Sequence, residues 1–294
     1  MPGKAFSLAA VCLFASSCAA AAQDQGGGAA QPSGAALRWY IADLKTSFPE
    51  HQMYSAATAL TDANYVAVLN GLKDKAKVNG IRLPIFPAEP DANHYSSLYK
   101  NVFSYARRLG LAIYASPMSV GMKDYQGWSD HQYAAWLANY VGAFHPDFLS
   151  PFNEPGIGDD KVVAIAADVR SLVGGQTVLL GPDRQHVRST IDDLARNPAV
   201  ARSFDIVDSH NANKDTSATF ENWARLVHSQ SKPVWASEDP ANWSVGADAS
   251  LPGIEAAVKA GVQGLVIWYG KPSLIDDDGH PTAKAVEIAE RLQR

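Results

Sequence analysis

Beyond residue 18 the chain contains no cysteine; Cys12 and Cys18 are the two it has among 294 residues. A disulfide framework is therefore excluded for the remainder, which has to be held by its hydrophobic core. Basic excess is also missing. Lys and Arg number 25 against 30 Asp and Glu, the formal charge is −5, and no basic run tracks phosphates, so nucleic acid is excluded as a partner. No Gly-rich phosphate loop is present: "GIGDDK" at 156–161 lacks the third glycine, and "GGG" at 26–28 lies in a tether-like stretch. The eight histidines form no H-E-x-x-H spacing, which argues against a zinc site, and no G-x-S-x-G elbow signals a serine hydrolase.

What is present begins with a leader. "MPGKAFSLAAVCLFASSCAAAAQ" combines Lys4, an apolar stretch too short to span a bilayer and a run of small residues, the pattern of an export signal over residues 1–22. Two processing routes compete. An ordinary signal peptidase would cut among Ala19–Ala22, whereas "ASSC" resembles a bacterial lipobox, with residues 1–17 removed and a lipid placed on Cys18. Ala15 stands where lipoboxes favour Leu. Residues 23–36, rich in Gly, Ala, Gln and Pro, read as a flexible tether. The expected location is periplasmic, secreted or outer-membrane, with membrane attachment only through Cys18, and the expected state is a monomer.

From residue 37 onward, short apolar runs rich in β-branched residues alternate with helical periodicity. The runs are 37–43, 80–86, 111–116, 147–153, 177–181, 204–210, 233–238 and 264–270. Helical faces recur at 62–78, 130–143, 160–173, 218–229 and 251–260. Ser129 with Gln132 makes a capping box, and Gly80, Gly110 and Gly174 fall where helices should stop. Eight β-α units of about 30 residues are what an α/β fold of the (β/α)8 TIM-barrel type requires. The expectation is a single barrel domain over 37–294. A doubly wound open sheet is the rival, disfavoured by the missing phosphate loop.

All strands of such a barrel open at their C-terminal ends onto one face. The residues brought there are Arg82 from the second run, Asn153 and Glu154 from the fourth, His210 from the sixth, Glu238 from the seventh and Trp268 from the eighth. Two carboxylates on one face are the pair glycoside hydrolysis needs. With "LSPFNEP" closing the fourth run, "GPD" after the fifth and "PVWASE" closing the seventh, the chain resembles the clan A glycoside hydrolases over about residues 37–294. Within that clan it is most similar to family 30, then family 5.

The resemblance implies that Glu154 is the general acid/base and Glu238 the nucleophile of a retaining, endo-acting hydrolase of β-linked polysaccharides. Asn153 would bond the sugar 2-hydroxyl, and Arg82 would keep Glu238 ionised. Retention places the two carboxyls about 5–5.5 Å apart, inversion about 6.5–9.5 Å. No metal or organic cofactor is required. The chain departs from the pattern by lacking a β-sandwich after the barrel and by carrying His210 where Tyr is common. A transglycosylase would use the same pair, and a non-catalytic carbohydrate-binding surface lipoprotein would need neither carboxylate.

Several residues stay open at this level. Asp239 competes with Glu238 for the cleft, and strand alternation does not separate them. His210 is either a site residue or a buried, hydrogen-bonded core histidine. Trp268, Trp128, Tyr269 and Trp243, with Tyr125, are candidate sugar platforms, while Trp136 and Trp223 sit mid-helix and read as core. Lys123, Arg184, Lys214 and Lys271 follow strands on the catalytic face, which would suit an anionic glycan if they are free; scattered solvated charge is the plainer account.

Overall fold

The structure, a computed structural model, describes residues 37–46, 59–85, 93–117, 125, 127–210, 215–240, 250–268 and 270–292. Its strands are β1 (Trp39–Asp43), β2 (Lys45–Thr46), β3 (Ala59–Leu60), β4 (Gly80–Ile85), β5 (Ala112–Pro117), β6 (Phe148–Leu149), β7 (Val178–Arg184), β8 (Ile206–His210), β9 (Val234–Pro240) and β10 (Gly264–Trp268). The helices are α1 (Tyr65–Asp74), α2 (Asn93–Arg108), α3 (Asp130–Phe144), α4 (Asp159–Val173), α5 (Val187–Arg196), α6 (Ala199–Arg202), α7 (Ser217–His228), α8 (Ser250–Lys259), α9 (Gly270–Ser273) and α10 (Ala283–Leu292). Eight parallel strands close in the order β1-β10-β9-β8-β7-β6-β5-β4, and β2 pairs with β3 as a separate ribbon. The expected (β/α)8 barrel is the observed one.

Alternation along each strand sorts the side chains into two layers. Ile41, Tyr114, Phe148, Leu180, Ile206, Trp235 and Val266 fill the barrel interior, closed below by Trp39, Ala112 and Val178. Their neighbours Ala42, Ile81, Ile113, Leu149, Leu179, Val207, Ala236 and Leu265 face outward into the larger cluster shared with the helices. Trp223 is wholly buried there, as its mid-helix position implies. Gly264 gives Trp235 its place: a Cβ on that glycine would stand 2.2 Å from the indole.

Local signals act as expected at α3, where Ser129 Oγ accepts from Gln132 N at 3.2 Å and Gln132 Oε1 accepts from Ser129 N at 2.8 Å. Gly174 caps α4 with φ 59°, and Gly110 lies just past α2 with φ 68°. Gly80 departs from expectation. It opens β4 instead of ending a helix, and Lys77 supplies the left-handed turn after α1 with φ 61°. What Gly80 provides is room, since a Cβ would meet Ile41 Cγ1 at 3.1 Å and the Ala112 carbonyl at 3.2 Å.

The fourth expected strand, 147–153, forms a ladder only at Phe148 and Leu149. Ser150 N still donates to Ala115 O at 3.0 Å. Pro151 then has no N–H to continue the pairing, so the backbone leaves the sheet. It is this departure that frees Asn153 and Glu154 to turn over the barrel mouth.

Candidate active site

Above the apolar interior layer lies a polar one. Asp43, Arg82, Ser116, Ser150, Asp183, Asp208 and Ser237 are all buried at the C-terminal half of the barrel. Burying so many polar groups is costly unless each is partnered, and most are. Arg82 binds Glu238 Oε2 through Nη1, reaches Asp43 Oδ2 at 3.3 Å, and donates through Nη2 to Ser116 Oγ at 2.9 Å. Lys45 Nζ meets the same Asp43 oxygen at 2.7 Å. Burial pushes the Glu238 carboxyl up, but the His210, Arg82 and Lys45 charges outweigh it and hold Glu238 below the ordinary glutamate range. Glu238 is therefore an anion at neutral pH.

A bulge in β9 turns Glu238 inward. Ser209 pairs with Ala236, yet His210 pairs with Glu238; on the other side Leu265 pairs with Ala236 and Ile267 with Asp239. The extra residue breaks alternation. Ser237 and Glu238 consequently both reach the interior, Ser237 Oγ to Asp183 Oδ1 at 2.7 Å and Glu238 to Arg82.

Glu154 comes from the turn after β6. It has a left-handed φ of 50°, its N–H donates to Asp183 O at 2.9 Å, and its Oε1 lies 3.2 Å from His210 Nδ1. The carboxylates of Glu154 and Glu238 and the His210 ring bring one donor atom each to within 4.8 Å of one another. The side chains of both glutamates keep partial access to solvent, at 14% and 18%. Asn153 is buried beside Glu154, at 5% exposure.

His210 has no exposed surface. It approaches Glu154 through Nδ1, while Nε2 lies 2.7 Å from Asp183 Oδ1 and 4.0 Å from Glu238 Oε2. The Asp183 contact is an ion pair and not an aligned hydrogen bond. Burial would depress the imidazole, but the Asp183 and Glu238 charges reverse the sign and lift it to about 10. The residue placed by sequence among substrate contacts thus sits beneath the mouth as a cation that touches Glu154. Both its nitrogens face carboxylates, and with Glu154 and Glu238 it makes a trio of metal-like spacing.

Trp268 ends β10 half-buried, and alternation from Val266 turns it toward the mouth. Trp128, 37% exposed, stacks edge-on against Tyr125 at 5.5 Å and Trp136 at 6.0 Å; Tyr125 itself is buried. Tyr269, Trp243, Lys123 and Lys214 lie outside the described residues. The two described cations of the expected anion-binding set are committed elsewhere. Lys271 is 1% exposed and pairs with Asp277 at 2.8 Å. Arg184 is salt-bridged to Asp159 and Asp193, and its Nη1 donates to the carbonyls of Pro155 and Ile157 at 2.6 and 2.9 Å. That clamp shapes one wall of a groove of about 660 Å³, lined by Glu154, Pro155–Asp159, Gln185, Ser189 and Arg196.

Asp183 and Asp208 escaped the sequence reading. "GPD" appeared there only as part of a likeness, and "DSH" only for its histidine. Asp183, with φ 58°, is wholly buried; burial raises it, but His210, Arg82 and Ser237 leave it lowered and ionised. Asp208 accepts from Asp183 N at 2.8 Å and is pushed well above the usual range by burial and by the Asp183 charge. Alternation back from the interior Ile206 would have flagged Asp208, two residues on and two before His210, as an inward polar group.

No protein-family model and no curated protein sequence matches the chain. Solved structures do. The endo-β-1,4-glucanase Xac0029 from Xanthomonas axonopodis pv. citri superposes with a TM-score of 0.66 at 14% identity, over 88% of this chain and 99% of that one. XacCel5A in complex with cellopentaose gives 0.59 at 12% identity, over 86% and 99%. The Ruminococcus gnavus β-glucuronidase gives 0.60 at 12%, over 87% of this chain and 50% of that one. At these identities the likeness is one of fold, the (β/α)8 barrel.

Proposed function

We propose that the protein is a retaining clan A glycoside hydrolase that cleaves β-glycosidic bonds in a polysaccharide, with Glu154 as acid/base and Glu238 as nucleophile. The observation that carries this reading is the contrast between two carboxylates with oxygens within 4.8 Å of each other. Glu238 is locked onto Arg82 and held ionised, as an attacking group must be. Glu154 has no guanidinium partner among its described contacts; it meets His210 and opens onto the groove. Carboxylate oxygens this close match the narrower pair of a retaining enzyme better than the wider pair of an inverting one.

In the first step Glu238 attacks the anomeric carbon while Glu154 protonates the departing oxygen. In the second, Glu154 takes a proton from the water that releases the sugar. Because Glu154 lines the groove and Glu238 does not, the leaving half of the substrate would lie along Pro155–Asp159 and Ser189. Carboxylates there offset the guanidinium groups of Arg184 and Arg196. That balance favours a neutral glycan over a uronate. Two neighbours in fold are an endo-β-1,4-glucanase and an enzyme bound to cellopentaose, so β-1,4-glucans head the panel. Export through the leader would place the enzyme where such polymers occur.

Reducing-sugar release from neutral and uronate-containing β-glycans tests the reading. Wild type is expected to hydrolyse a neutral glycan, and Glu154→Gln and Glu238→Gln each to lose about 10²-fold or more. Binding without release by wild type would sink it.

A further inference from the structure

Glu154 has two carboxyl oxygens and, as an acid, one proton to place between them. The proton serves catalysis only on the oxygen that faces the glycosidic bond. Oε1 is turned to His210 Nδ1 at 3.2 Å, so what that nitrogen carries decides the matter. With a hydrogen on Nδ1, Oε1 can only accept, and the acid proton is confined to Oε2. With a bare Nδ1, the lone pair draws the proton to Oε1, inward and away from substrate.

Control lies at the other side of the ring. Nε2 stands 2.7 Å from Asp183 Oδ1, which also accepts from Ser237 Oγ at 2.7 Å. Ser150 Oγ lies 3.2 Å from the second Asp183 oxygen. An ionised Asp183 requires a hydrogen on Nε2. A neutral ring could satisfy that alone and leave Nδ1 bare. The second hydrogen is retained because two anions face the ring, Asp183 on β7 and Glu238 on β9, with Arg82 on β4 and Lys45 as the opposing charges. Burial and the Asp183 charge disfavour ionisation of Asp208 on β8. The main chain of Asp183 holds the acid as well, accepting from Glu154 N at 2.9 Å, and both residues have left-handed φ, 58° and 50°. Two non-glycine residues in that region joined by a hydrogen bond mark a backbone arrangement maintained against its intrinsic cost.

We propose that Asp183 is a positioning residue which, acting through the His210 ring, directs the acid proton of Glu154 onto Oε2 and toward the glycosidic oxygen. The role rests on the reading of Glu154 as acid/base. In the first step the Oε2 proton passes to the glycosidic oxygen, the C1–O electrons stay with that oxygen, and Glu238 forms the new bond to C1. Negative charge is lost from Glu238 as it appears on Glu154. The ring faces both groups, so its charge is matched before and after transfer.

Asp183→Asn removes the charge while tolerating the left-handed backbone. The variant and wild type are compared on two substrates of one sugar, an unactivated oligosaccharide and a dinitrophenyl β-glycoside whose leaving group departs without a proton. The His210 ring is followed by NMR at pH 7. The expected result is an imidazolium in wild type and a neutral ring in the variant, with kcat/KM down about 100-fold on the oligosaccharide and less than about threefold on the aryl glycoside. Equal losses on both substrates, or a neutral ring in wild type, would overturn the proposal. If Asp183→Asn does not fold, His210→Gln takes the same comparison, with the unequal loss expected and equal losses overturning it. Wild type inert on both substrates removes the glycosidase reading and this role with it; wild type active without the difference removes only the role.

Discussion

Asp208 shows what single residues contribute under this barrel mouth. Burial and the adjacent Asp183 charge push its carboxyl well above the usual range in the folded chain, whereas the unfolded chain ionises it near pH 4. A folded value above the unfolded one means stability present at acid pH and lost as pH rises past the unfolded value. Asp208→Asn keeps an acceptor for Asp183 N and never ionises. The variant is therefore expected to melt above wild type at pH 7, with the gain shrinking as the scan is repeated toward pH 4. A lower melting point at pH 7 would show that Asp208 carries charge after all.

At the level of elements, regular pattern was readable and interruptions were not. The eight strands stand within a few residues of their expected limits because alternation and glycine punctuation are local properties. Five helices followed from their periodicity, and the structure adds α2, α5 and α10 to the ring. Glu154, Glu238 and Arg82 were legible because charge at the end of an apolar run has few explanations. The inward turn of Glu238 was not legible in alternation, since the β9 bulge answers to pairing on both flanks. His210 was caught between two readings; it is buried and lies in contact with Glu154. Asp183 went unread because its partners come from β6, β8 and β9-side residues far apart in sequence. Close packing between strands has its own test. Gly264→Ala would drive a methyl into Trp235 and should cost about 1–3 kcal/mol in denaturant unfolding; an unchanged midpoint would mean the indole can move aside.

For the whole molecule, stability and site chemistry share one set of charges. His210 is lifted from 6.5 to about 10 on folding. Its contribution is complete below about pH 6.5 and fades as pH climbs toward 10. The lowered Glu238 and Asp183 act in the opposite sense, adding stability above the ordinary carboxylate range that is lost on acidification. A stability optimum near neutral pH is expected, with a falling alkaline limb that His210→Gln flattens. Urea unfolding between pH 6 and 10 measures it, and parallel slopes for the two proteins would contradict the assignment.

The bulge in β9 makes the barrel sensitive to counting. Substitutions along a regular strand change what a position holds, but leave every later position where it was. Here Ser237 occupies an added place, and the residues after it keep their address only while that place exists. Deleting it would slide Glu238 down one level, out of reach of its arginine and against the buried Asp183. The chain would retain every group its chemistry needs and would have misfiled one of them.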